Sequence, residues 1–228
     1  MRDEFLGCAE PLSSWTHLLG AGFFLVLAVP LIRGNVGTKK QGVALVVFAL
    51  SAVLALAISG AYHLLPHATT ARFVLRHLDH AAIFLLIAGT FTAVHTYLFH
   101  GIGRWGVLLV LWLLAVGAIT LKMVFFRSFP DSVSTALYLT YGWLGVGTGV
   151  ALWRRYGLRF IIPLVIGGSA YTTGALIELQ KQLVIIPGVF EAHEVFHFLV
   201  LLGIGFHWSF VRDASRTPIG LSSRLRKR

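Results

Sequence analysis

Seven apolar stretches dominate this chain: residues 14–32, 42–65, 77–99, 105–125, 134–153, 160–179 and 189–211. Each is close to the ~20 residues that a helix needs to cross a bilayer. With 57% hydrophobic and only 12% charged residues, the composition lies well outside that of a soluble domain. The links are short, so successive spans are antiparallel neighbours. The expected fold is all-α: a polytopic membrane protein, a seven-transmembrane-helix bundle forming one domain over residues 1–228, with 1–12 and 212–228 outside the bilayer. A soluble domain of any size has no room. The first span follows Met1-Arg2-Asp3-Glu4, which lacks a basic leader region, and is read as retained in the membrane.

Ionisable residues are costly inside a bilayer and mark partners or function there. The densest group is His193-Glu194-Val195-Phe196-His197. Histidines four apart share one helix face, so both imidazoles reach one ion. Ser59-Gly60-Ala61-Tyr62-His63 and Leu78-Asp79-His80 lie far upstream. In an up-and-down bundle, the starts of odd spans and the ends of even spans share a membrane face. His63 ends span two, Asp79 starts span three, and His193 and His197 start span seven, so all share one side. His17 joins them, whereas His95, His100 and His207 fall on the other side.

Three imidazoles, from His63, His193 and His197, with water in the fourth position form the open tetrahedral set of a catalytic zinc. Calcium and magnesium favour oxygen ligands. Asp79 is preferred as a base accepting a hydrogen bond from that water. The other readings of Asp79 are a fourth ligand, a partner for Arg76, or a helix N-terminal charge. Ser59, one turn before His63, either orients the water or a substrate carbonyl, or bonds its own backbone. Glu194 is rotated by about 100° from the histidines and points toward a neighbouring helix. His77 and His80 read as interface residues, and His17 with Glu10 reads as an outer pair or a cap.

The net charge of +10 sits at helix ends and in the tail Arg224-Leu225-Arg226-Lys227-Arg228. That placement points to anionic lipid head groups and away from nucleic acid. Arg2, Arg72, Arg76, Lys122, Arg127 and Lys181 lie on the N-terminal side, and the remainder of the 19 basic residues lie opposite. The positive-inside rule then places the C-terminus in the cytoplasm. A single cysteine, Cys8, excludes an internal disulfide.

The segment Arg76-His77-Leu78-Asp79-His80-Ala81-Ala82-Ile83-Phe84-Leu85-Leu86-Ile87-Ala88-Gly89-Thr90 resembles the third span of bacterial hemolysin III proteins, relatives of the progestin and adipoQ receptors and the alkaline ceramidases. The start Glu10-Pro11-Leu12-Ser13-Ser14-Trp15-Thr16-His17 resembles the entry of the adiponectin receptors to their first span, and the resemblance runs to about Trp208. It implies seven helices, zinc held by His63, His193 and His197, Asp79 on a zinc-bound water, and amide hydrolysis of a lipid such as a ceramide. It also implies a cytoplasmic N-terminus, against the charge bias. Glu178 replaces a common tyrosine and adds a carboxylate near the same face.

Three function classes follow. One is a zinc-dependent hydrolase of a lipid amide or ester bond, with membrane lipid as substrate, Asp79 and Ser59 as catalytic residues, and zinc polarising the carbonyl. Another is a non-enzymatic receptor or regulator of membrane lipid state, or a hemolysin-type pore-former, with structural zinc. The third is an intramembrane metalloprotease, because His193-Glu194-x-x-His197 matches HExxH with Glu194 as base. Such enzymes take a third ligand downstream, where only Asp213 and the wrong-side His207 follow.

Overall fold

Each link in the chain carries a stop and a start signal, and the helices form between them. In the computed structural model, which describes residues 9–35 and 37–216, α1 (Pro11–Arg33) opens with proline in its first turn, where no backbone N–H is missed. Thr38 and Gln41 form a reciprocal capping box at the start of α2 (Lys39–Leu64). The Thr69 hydroxyl accepts from the Arg72 N–H to start α3 (Thr70–Leu98). Gly101, at φ +55°, makes the sharp turn into α4 (Ile102–Val124). Then come α5 (Asp131–Trp143), α6 (Gly145–Tyr156), α7 (Leu158–Gln180), a short antiparallel hairpin of β1 (Val184–Ile186) and β2 (Phe190–Glu191), and α8 (Ala192–Arg216).

Six of these helices, α1 to α4, α7 and α8, are long and apolar enough to cross a membrane. The stretch 134–153, expected as one continuous span, is two helices of 13 and 12 residues meeting at Leu144. Leu144 keeps right-handed helical angles (φ −56°, ψ −23°), and the pair runs alongside α3 and α4: Ser134 near its start meets Lys122 at the end of α4, and Arg155 near its end reaches the Leu98 carbonyl at the end of α3. Gly142, Gly145, Gly147 and Gly149 surround the joint, and each lowers helix stability by about 1 kcal/mol relative to alanine. Two other expectations shift. Helix α3 starts at Thr70, not 77, and α8 starts at Ala192, after a hairpin that occupies the expected beginning of the span. The basic tail expected against anionic lipid lies outside the described residues.

Helix α3 is the most enclosed span, with 61% of its apolar window buried, against 22% for α4 and α7. Phe24, Phe48, Leu56, Ile204 and Trp208 fill the centre between α1, α2 and α8. Phe84, Leu111 and Tyr141 fill a second centre between α3, α4 and α5. Large apolar side chains also cover the outside, among them Phe23, Val26, Leu109, Leu113 and Val116. An outer shell of that kind matches a hydrocarbon surround. This is a multi-pass cell membrane protein.

The helices approach closely through small residues, as expected without a hydrophobic drive between them. A Cβ on Gly89 of α3 would lie 2.1 Å from Ser51 Oγ of α2. A Cβ on Gly60 of α2 would lie 2.7 Å from Leu18 of α1, where the Ser14 hydroxyl donates to the Gly60 carbonyl at 2.8 Å. The Gly60 contact holds the start of α1 against the end of α2 beside the polar cluster.

Candidate metal centre

His63 closes the last turn of α2, and His193 and His197 occupy the first two turns of α8. One ring nitrogen from each lies within 4.8 Å of the others, close enough to hold one metal ion. His63 Nε2 and His193 Nε2 face each other at 3.4 Å. His63 and His197 are each only 2% exposed, so the cluster is closed off on two of its three sides.

The outer nitrogens of His63 and His193 face carboxylates. Glu10, just before α1, accepts a hydrogen bond from His63 Nδ1 and turns its other oxygen to Arg72 Nη2 at 2.8 Å. Its backbone N–H also donates to the His63 carbonyl at 3.2 Å. Burial alone would push the Glu10 carboxyl up. The hydrogen bond and charge of His63, with the Arg72 guanidinium, outweigh that and hold it at about 2. Arg72 donates to the Tyr62 and Leu65 carbonyls and stacks over the Tyr62 ring, satisfying the C-terminal end of α2. On the other wall, Glu178 of α7 lies 3.4 Å from His193 Nδ1.

His197 is held differently. The His17 ring stacks on it, with centroids 3.9 Å apart and planes 22° from parallel. His17 Nε2 donates to the His197 backbone carbonyl at 3.3 Å. A buried His197 nitrogen, Nδ1, has no hydrogen-bond partner among the described residues. The expected pairing of Glu10 with His17 is therefore replaced: Glu10 serves His63, and His17 serves His197.

Asp79 lies in the third turn of α3, beyond the reach of the helix-end dipole, because the helix begins at Thr70. Its carboxylate lies toward Ser59 and His193. Ser51, Ser209 and Ser215 instead donate back to their own helices. Glu194 turns away from the three histidines. It accepts from the Ser13 hydroxyl at 3.3 Å and from the Glu191 N–H at 3.0 Å. His63, 130 residues upstream of His193, completes the trio that the HExxH reading would have sought downstream.

His80 Nδ1 hydrogen-bonds Tyr138, and His77 stacks on Phe126, both apart from the centre. Two opposite-face histidines are tied elsewhere: His95 to the Gly103 carbonyl and the Thr148 hydroxyl, and His207 to the Leu164 carbonyl. Sequence reasoning missed Arg72 and the pairing of Glu10 with His63. A lone basic residue at a helix start carries no signal that separates a buried clamp from an interfacial charge.

Residues 7–208 match the Haemolysin-III related family. The chain belongs to the hemolysin III family. This hemolysin III protein is 32% identical to Hemolysin-3 of Bacillus cereus over 82% of its own length and 83% of that protein's. It is 30% identical to the Hemolysin-3 homolog of Bacillus subtilis (strain 168), over 82% and 85% of the two chains. It is also 31% identical to the Heptahelical transmembrane protein ADIPOR2 of Oryza sativa subsp. japonica, over 71% and 77%. The rice relative connects the hemolysin III family to the wider progestin and adipoQ receptor group.

Proposed function

We propose that His63, His193 and His197 hold a zinc ion, and that the centre hydrolyses an amide or ester bond of a membrane lipid. The observation that carries this reading is the carboxylate set behind two of the three rings, His63 and His193. With Nδ1 of His63 and of His193 turned to Glu10 and Glu178, their Nε2 lone pairs are left to converge. A carboxylate behind a ligating imidazole fixes its tautomer and raises its basicity. Two nitrogens bound to zinc at ~2.0–2.1 Å in tetrahedral geometry sit about 3.4 Å apart, which agrees with the 3.4 Å between His63 and His193. Three neutral imidazoles also suit zinc better than calcium or magnesium.

Zinc in such a site supplies a Lewis acid and a water whose pKa lies near neutrality. The chain supplies the rest. Asp79 takes the proton as general base, and Ser59 orients the Asp79 carboxylate or the substrate carbonyl. Turnover of a lipid amide by the purified, zinc-loaded protein, lost in Asp79→Asn, tests this function.

The name of the bacterial relatives, Hemolysin-3, favours a second reading, in which zinc is structural and the protein acts on membranes without turnover. Zinc retention with no lipid hydrolysis across amide and ester substrates, together with leakage of protein-containing vesicles, would select it.

A further inference from the structure

The link between α7 and α8 is apolar where a link in water would be polar. Leu183, Val184, Ile185, Ile186 and Val189 are 38–58% exposed, and Pro187 and Gly188 are exposed between them. This surface does not end at the hairpin. Phe190 of β2 packs edge-on against Phe198 of α8 at 5.7 Å, and Phe198 and Leu202 continue outward-facing along that helix. The apolar band of the hairpin is therefore continuous with the outward-facing flank of a membrane-spanning helix.

The backbone limits how deep the hairpin can sit. Its two strands pair only with each other among the described residues, so both outer edges need water or head-group partners. Hydrocarbon offers neither. The boundary between head groups and acyl chains accepts both the exposed side chains and the open edges.

We infer that the hairpin 183–190 is an interfacial foot, seated in the head-group boundary of the bilayer on the face that carries the histidine cluster. The foot is firmly joined to α8. The Gly188 N–H donates to Glu191 Oε1 at 2.7 Å, the Glu191 N–H donates to Glu194, and Glu194 is held by Ser13 of α1. His193 lies between those two glutamates in sequence, so the depth of the foot sets the depth of the cluster relative to lipid ester and amide groups. This inference rests on the membrane-spanning architecture and not on the identity of any metal.

The test uses the full-length protein with Cys8→Ser as background. Single cysteines, Ile185→Cys and independently Val189→Cys, are spin-labelled after reconstitution into phosphatidylcholine and phosphatidylglycerol vesicles. Collisions with molecular oxygen and with a water-soluble nickel chelate are compared with those at His67→Cys, an exposed position in the α2–α3 link on the same face. The oxygen-to-nickel ratio at both hairpin positions should exceed that at His67 several-fold. A ratio equal to that at His67 overturns the inference, because the hairpin then stands in water. Exclusion of both reagents also overturns it, because protein, either a second copy or residues 1–8, then covers the hairpin. Zinc content of the same samples reads the metal proposal separately.

Discussion

The Glu10 carboxylate joins His63 to Arg72: one oxygen accepts from His63 Nδ1 and the other from Arg72 Nη2 at 2.8 Å. The approach to α1 thereby meets the α2–α3 corner, more than 50 residues downstream, behind one candidate ligand. Glu10→Gln keeps the size and one acceptor but removes the charge that raises imidazole basicity. Zinc affinity, measured by competition with a chromophoric chelator, should fall by about 10–100-fold. An unchanged affinity would show that the Glu10 contact only fastens the helix ends.

Asp79→Asn separates chemistry from ligation. With Asp79 as general base, zinc content should stay close to that of the unmodified protein, while lipid hydrolysis drops by about 10²–10⁴-fold. If zinc and thermal stability fall together, Asp79 is a fourth ligand in a closed site.

Zinc retention should depend on pH with a definite sign. Only neutral imidazole ligates, so protonation competes with the metal. Retention should be full above the histidine range and decline as pH falls from about 7 to about 5. Equilibrium dialysis across that range would record it. Retention independent of pH down to 5 would speak against an all-histidine ligand set.

Gly89 tests the close approach of α2 and α3. Gly89→Ala places a methyl group against Ser51 Oγ and Cβ, and overpacking of this kind costs about 1–3 kcal/mol. The melting temperature in detergent should fall. Adding Ser51→Gly should recover much of the loss.

The parts of this architecture that were legible in the sequence are those written as repetition or spacing. Apolar runs of the right length announced the spans, and the i, i+4 spacing of His193 and His197 put both on one face. Span parity then brought His63 and Asp79 to the same level. The joint at Leu144 was hidden, because a glycine-rich apolar run reads the same whether the helix is whole or divided. The hairpin was hidden for a similar reason: Val184, Ile185 and Ile186 are as apolar as a helix start. Pairings between distant segments, such as Glu10 with His63 or His17 with His197, leave no periodic trace in the sequence.

The proposed function stands on three histidines from two helices holding one zinc ion. Metal analysis by mass spectrometry of protein purified without added chelator should find about one zinc per chain, and the double variant His193→Ala/His197→Ala should have lost it while remaining folded by circular dichroism. Full zinc retention in the folded double variant, or no zinc in the unmodified protein even after dialysis against the metal, would contradict the account.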